Sequence, residues 1–461
     1  MEKILNELVE KNFTQQVKDT QAILKINSEL DEKGITQECP FGPGPAEALQ
    51  LLLDIGTKLG FAIHDYEHYA GHVQMGNSGK QVGLLGHLDV VPAKGKDWIV
   101  PPYSATVIDG KLYGRGTLDD KGPTMAVLYA MKAIKDSKLP FKNHVRLIAG
   151  TDEEVGMRGV THYLTQQQPP DMGFSPDASF PIINGEKGIL HGYFKFPLAG
   201  SDPKIKLLEG GDRINVVPDR VEAELAGFTQ EEIKNKIKEL KLTEHFQVEG
   251  TKVVSLGLAV HAMMPQNGFN AAQNMFVLLN ELLAGGDSPL SKIITGMHKM
   301  LKMETDGTSL GIACHDEISG PLTCNFAALE LKADALVCKF DIRYPIEFHG
   351  QKFIDVLQKD ASKLGGEYVV LKNKEPLYVA KDKPFIQCLQ TAYEEAMGTK
   401  AELLTTGGGT YCRSVANTVS FGPIFPGDPD LDHQSNEFVY LDKLQLMTKI
   451  YAQAIYKLLQ L

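Results

Sequence analysis

No C-x-x-C pair occurs in the chain. Its six cysteines (Cys39, Cys314, Cys324, Cys338, Cys388 and Cys412) stand singly. This spacing excludes a cysteine zinc ribbon and predicts reduced thiols used for packing. No apolar run approaches the ~18 residues needed to cross a membrane, so no membrane partner is expected. The N-terminal MEKILNELVEKNFTQQVKDTQAILKI mixes charge into an amphipathic pattern. It lacks the uninterrupted apolar segment and small-residue cleavage site of a signal peptide, which predicts a cytoplasmic protein. Positive charge is also short: 47 Lys and Arg against 58 Asp and Glu leave a net charge of −11. A nucleic-acid partner is therefore not expected. The acidic excess suits a cation site, although many cytosolic proteins share it. Low-complexity and disorder-prone segments are absent.

At 461 residues the chain exceeds what one core usually holds, and two domains are expected. From about 80 to 185 strand and helix patterns alternate. QVGLLGHLDVV and HVRLIAGTDEE read as buried strands. SATVIDGKLYG centres on Asp109-Gly110, a hairpin signal. PTMAVLYAMKAIKDS has Pro123 suited to a first helical position, and RGVTHYLTQQQ predicts a helix ended by Pro169 and Pro170. Such alternation argues an α/β layer with a mostly parallel, helix-flanked sheet. Near 186 the texture becomes α+β, with antiparallel-looking strands such as RVEAELAGF and LELKADALVCKFDIRYP. After about 376 the α/β pattern returns and closes with the amphipathic LDKLQLMTKIYAQAIYKLLQL. The expected division is a catalytic domain from 1–185 and 377–461 and an inserted domain from 186–376. NVVPDRVEAELAGF and TCNFAALELKADALVCKFDIRYP suggest that the insert has two similar halves.

The chemistry lies where strands give way to loops. His87 and Asp89 are two apart, so on a strand they face one side. A carboxylate there would accept from a ligand histidine's ring N–H and fix its orientation. Asp119 and Asp120 precede a helix start in GRGTLDDKGP. Glu153 and Glu154 follow a strand in GTDEEVG, and Asp177 lies in SPDASFP. Singly these have ordinary explanations. Asp119 or Asp120 suits a helix N-cap, the Glu doublet a solvated turn, Asp177 a proline turn, and His87 a core histidine. Together, several acids ending the strands of one sheet would repel unless a cation joined them. A mixed histidine and carboxylate set suits Zn²⁺, with Mn²⁺ or Co²⁺ as substitutes. Two ions bridged by one carboxylate would activate a water, and a carboxylate left outside the ligand set would take its proton.

The ordered set GHLDVVP, GRGTLDDKGP, GTDEEVG, SPDASFP, GLAVHAMMP, TTGGGTYCRS and FGPIFPGDPDLDHQSNE resembles the co-catalytic zinc metallopeptidase family. That family includes aminoacylase, carnosinase, succinyl-diaminopimelate desuccinylase and carboxypeptidase G, and the resemblance is strongest to its bacterial dipeptidase V (PepV) group. The resemblance implies that His87 and Asp177 bind one zinc, Glu154 and His433 the other, and Asp119 both. It implies Glu153 as general base, Asp89 as the residue orienting His87, and His261 as donor to the oxyanion. Asn215, Arg343, Gly408 and Gly409 are implied as substrate contacts, Arg343 as a bidentate partner of a peptide carboxylate. Cys412 and Ser414 stand where alanines are more usual in that family, and Met157 where an aromatic is often found. The function expected is a dizinc dipeptidase hydrolysing unblocked dipeptides of broad side-chain specificity, with the insert as a lid. An N-acyl amino acid deacylase or desuccinylase of the same family is the alternative. A lid of two similar halves further suggests a monomer.

Overall fold

The structure, a computed structural model, describes residues 1–93, 97–200 and 202–461. They form two compact units. One comprises Met1–Asn184, Tyr378–Leu404 and Gly409–Leu461, the other Gly185–Leu377 and Thr405–Gly408. Thr405–Gly408 differ from expectation, since they follow the second unit. The backbone explains it: Lys187 N–H donates to the Thr406 carbonyl at 2.9 Å.

In the first unit six strands lie in the order Ala62–Tyr66, Ala70–Met75, His144–Gly150, Gln81–His87, Met172–Ser175 and Thr418–Ser420. The last four are mutually parallel. Ala70–Met75 runs antiparallel to both its neighbours, Ala62–Tyr66 and His144–Gly150, and Ser420 pairs antiparallel with Ile183. The expected mostly parallel sheet is thus parallel in its buried centre and mixed overall. Central strands here carry apolar side chains on both faces, as helix-covered parallel strands require; Gln81–His87 is buried at every position.

Two crossovers leave and re-enter this centre in opposite directions. Helix Lys121–Ser137 joins Gln81–His87 to His144–Gly150, and helix Arg158–Gln166 joins His144–Gly150 to Met172–Ser175. Right-handed crossovers then put the helices on opposite faces. Neighbouring residues of one strand show it. Leu85 packs with Val160 and Tyr163, whereas a Cβ on Gly86 would collide with Thr124 on the other side. The terminal helices Glu2–Leu24 and Leu441–Leu458 pack on Lys121–Ser137, joined by a buried Gln16–Thr448 hydrogen bond of 2.8 Å. The hairpin at Asp109-Gly110 joins Thr106–Ile108 to Lys111–Tyr113, and both turn residues have positive φ, 50° and 75°, as a type I′ turn demands. Among the described residues no helix is long and apolar enough to cross a membrane.

The second unit is α+β. Its eight-stranded sheet is ordered Phe246–Glu249, Lys252–Leu256, Arg220–Glu224, Leu207–Gly210, Thr323–Leu331, Ala335–Tyr344, Gly188–Pro197, Glu367–Lys374. The order is symmetric about the central antiparallel pairing of Gly210 with Leu329. Arg220–Glu224, helix Gln230–Glu239 and Phe246–Glu249 on one side match Ala335–Tyr344, helix Gly350–Lys363 and Glu367–Lys374 on the other. Both helices begin alike, with an aromatic before the N-cap and an apolar residue at the fourth helical position: Phe228 and Ile233, Phe348 and Phe353. That is the hydrophobic-staple arrangement, and the Phe348 and Phe353 rings lie 6.2 Å apart. One continuous core, including Phe194, Phe276, Phe326, Phe340 and Ile294, fills this unit.

Candidate metal centre and active site

Strands Gln81–His87, His144–Gly150 and Met172–Ser175 are parallel, so the loops after them meet at one carboxyl edge, where open α/β sheets place ligands. His87 is the last residue of its strand. Asp89 therefore lies beyond it and does something different from what strand alternation predicts. The His87 Nδ1 is 3.0 Å from the Asp89 backbone carbonyl and 3.5 Å from its carboxylate. The Asp89 carboxylate instead accepts the Glu153 and Glu154 backbone N–H groups, both at 3.0 Å. One residue thus holds the histidine through its main chain and the acidic doublet through its side chain.

Two donor groups result, His87, Asp119 and Asp177, and Asp119, Glu154 and His433. They share Asp119, one oxygen for each. His87 Nε2 is 2.8 Å from Asp119 Oδ1 and 3.7 Å from Asp177 Oδ1. His433 Nε2 is 3.0 Å from Asp119 Oδ2 and 3.2 Å from Glu154 Oε2. The buried His87 Nε2, Glu153 Oε1 and Glu154 Oε1 have no hydrogen-bond partner, although burying such atoms unsatisfied is costly. Nitrogen and carboxylate donors that converge without hydrogen-bond geometry fit a divalent cation in each group.

The protonation pattern agrees. Burial would raise the Asp119 carboxyl, but the His433 and His87 imidazoles beside it outweigh that and hold it well below its usual range. Burial would lower His433; Asp119 and Glu154 instead push it up to about 11. His87 is likewise raised, its burial outweighed by Asp119, Asp177 and Asp89. Glu154 rises to about 7 through burial and the Asp119 charge. Burial, then Asp177, raises Glu153 well above the carboxylate range. Crowded acids hold protons that two cations would displace.

Sequence reasoning offered Asp120 only as a helix N-cap and assigned no role to two further supporting acids, Asp152 and Glu437. Asp120 starts the helix as its N-cap residue, yet its carboxylate accepts the His87 backbone N–H at 3.1 Å and the Thr124 hydroxyl at 3.0 Å. The helix begins at Lys121, two residues before the expected Pro123. Asp152, buried, receives Arg158 Nε and Nη2 at 2.7 Å each and locks the turn carrying Glu153 and Glu154. Glu437 is fully buried beneath the Asp119 loop. Acids beside a ligand carry no periodic signal, so only the fold separates their roles.

The remaining expected residues belong to the second unit, apart from Gly409, which opens the last segment of the first. Asn215 and His261 are brought together there, the Ala262 N–H donating to the Asn215 carbonyl at 2.9 Å. His261 is exposed and its Nδ1 accepts the Met263 N–H at 3.1 Å. Gly408 N–H donates to Thr406 Oγ1 at 3.0 Å. Arg343 differs from an open clamp. It is buried, and Nε and Nη2 each donate to Asp341 at 2.6 Å, while Nη1 donates to the Gly407 carbonyl at 2.6 Å. Its Nε–Nη2 edge is therefore taken by Asp341 and Nη1 is engaged by the main chain.

Burial alone would push the Asp341 carboxyl up; Arg343 and His191 outweigh it and hold it at about 2. A depressed carboxyl stabilises the fold above its unfolded value, and the effect is lost as pH falls through the folded value. Asp341→Asn is thus expected to cost about 2–3 kcal/mol at pH 7, with the difference from wild type shrinking below about pH 4. Urea unfolding at several pH values measures this; a constant difference would contradict it.

Parallel strands with histidines and acids gathered beyond their carboxyl edge, sharing one aspartate between two groups, form a candidate metal centre. Residues 83–457 match peptidase family M20/M25/M40. The chain belongs to this family and is a peptidase. It is 40% identical over 455 residues to "Putative dipeptidase YtjP" of Bacillus subtilis (strain 168), covering 96% of each. It is 35% identical over 464 residues to a "Putative dipeptidase" of Staphylococcus epidermidis, covering 96% of this chain and 97% of the relative. Human carnosine dipeptidase 1 shares its fold at a TM-score of 0.60 and 16% identity, covering 100% of this chain and 99% of that one. A metallo-carboxypeptidase from Sulfolobus solfataricus does so at 0.60 and 18%, covering 96% and 99%.

Proposed function

We propose that the protein is a dizinc-dependent dipeptidase acting on unblocked dipeptides with broad side-chain specificity. The observation that carries this reading is Asp119, whose two oxygens each face a separate nitrogen and carboxylate group. The descriptions of the Bacillus and Staphylococcus relatives point the same way. His87, Asp177 and Asp119 would hold one ion, Glu154, His433 and Asp119 the other, with Mn²⁺ or Co²⁺ able to substitute for Zn²⁺. The ions would supply Lewis acidity towards the scissile carbonyl and a lowered pKa for the attacking water.

Glu153 takes the water's proton and passes it to the leaving amine. Asp89 keeps Glu153 and Glu154 in place through their backbone N–H groups. His261 donates to the developing oxyanion. Asn215, Gly408, Gly409 and Arg343 hold the peptide. The part of the chain carrying His261, Asn215 and Arg343 acts as the lid of a cytoplasmic monomer.

A panel of unblocked dipeptides beside N-acetyl and N-succinyl amino acids tests the substrate class, with stripped protein reloaded in turn with Zn²⁺, Mn²⁺ and Co²⁺. Dipeptides are expected to be cleaved and the blocked compounds left intact. Cleavage of the blocked compounds alone would make the protein a deacylase. Light scattering on the same preparation should return the 50.6 kDa of one chain.

A further inference from the structure

We infer that Glu437 is a positioning residue whose buried carboxylate shapes the Arg115–Asp119 loop, aims Asp119 at both donor groups and ties that loop to the segment carrying His433. This rests on the metal-site reading above and extends it to a residue outside the ligand set.

The geometry is dense. Glu437 Oε1 accepts the Leu118 N–H at 2.7 Å, the Gly116 N–H at 3.1 Å and the Asp119 N–H at 3.3 Å. Oε2 accepts Arg115 Nη1 at 2.7 Å and shares the Gly116 N–H at 3.1 Å. The Glu437 backbone carbonyl accepts the Gly114 N–H at 3.0 Å. Arg115, Gly116, Leu118 and Asp119 therefore all donate to one carboxylate. Successive backbone N–H groups converging on an anion form a nest, and the φ of +91° at Gly116 lets the chain turn that way.

A passive ion pair would need only Arg115. The three backbone donors lie in the loop that ends on the shared aspartate. Asp119 is gripped at its backbone N–H by Glu437 while its side chain faces His87 and His433. Between His433 and Glu437 the chain bends sharply, with φ of 63° at His433 and 64° at Asn436. One anchor thus sets the bridging ligand and, four residues away, the histidine of the second group. A fully satisfied buried carboxylate is rigid, and losing one partner of such a network is expensive. The loop is therefore shaped before any ion arrives.

Two measurements test this. In Glu437→Gln the amide cannot accept from all the donors that the carboxylate serves. Metal affinity, read by competition with a chromophoric chelator, is expected to fall about 10–100-fold. The Co²⁺ absorption spectrum should change, and kcat should fall more than KM rises. Hydrogen exchange on metal-stripped wild-type protein needs no variant, so a Glu437→Gln that fails to fold leaves the test intact. The Gly116, Leu118 and Asp119 amides should exchange as slowly in stripped as in loaded protein. Fast exchange there in stripped protein overturns the inference. So does wild-type uptake of two ions together with unchanged affinity and spectrum in Glu437→Gln. Wild-type protein that takes up no ion overturns the metal-site reading instead.

Discussion

Glu153→Ala is expected to lower kcat for a dipeptide by about 10²–10⁴-fold while the metal content per chain stays that of the wild type. Glu153 is in neither donor group, so its loss leaves all five expected ligands in place. Its backbone N–H is held by Asp89, and alanine keeps that bond, so the adjoining Glu154 should not move. The buried carboxyl has an oxygen without a hydrogen-bond partner, which suits a group that must accept a proton during turnover. Burial and the neighbouring Asp177 raise its pKa. Bound cations act in the opposite direction. Kinetics on metal-replete protein, with metal counted by atomic spectroscopy, separate the outcomes. Unchanged kcat removes Glu153 as base, and lost metal makes it a ligand.

Asp119→Ala should have the broader effect. It removes the one residue common to both groups, so binding at both should weaken by more than about 100-fold, since even outer supports of metal ligands are worth about 10–100-fold. Turnover should fall to background at any practical metal concentration. His433→Ala is the contrast. His433 belongs to one of the two groups, facing Asp119 and Glu154, so this variant should retain one tight site. Titration should therefore find two ions in the wild type, one in His433→Ala and none held tightly in Asp119→Ala. A single tight ion in Asp119→Ala would show that the carboxylate is not shared.

The local pattern made much of the fold legible. QVGLLGH and HVRLIAG are strands because a continuous apolar run of that length suits a sheet covered on both faces. Asp109-Gly110 is a turn because both residues tolerate positive φ. The antiparallel pair Ala62–Tyr66 and Ala70–Met75 went unrecognised. Three of the first strand's five residues are exposed, so it carries little apolar signal. The end of the strand at His87 was also misjudged. A run of apolar letters continues through Leu88 and Val90, but the ladder to His144–Gly150 stops at His87 paired with Gly150.

The sequence by itself determined the family, the α/β texture interrupted by an α+β insert, and the acids and histidines available at loop starts. Those follow from side-chain period, turn chemistry and the order of short motifs, all local in the chain. Tertiary structure alone decided which acids meet. Asp119 and Asp120 are chemically identical neighbours, yet one faces two imidazoles and the other holds a backbone N–H. Asp89 and Glu437 support the site from 64 and 318 residues away from the groups they grip. Such division depends on where three parallel strands end and on which N–H groups those endings leave unpaired, and long-range pairing creates both.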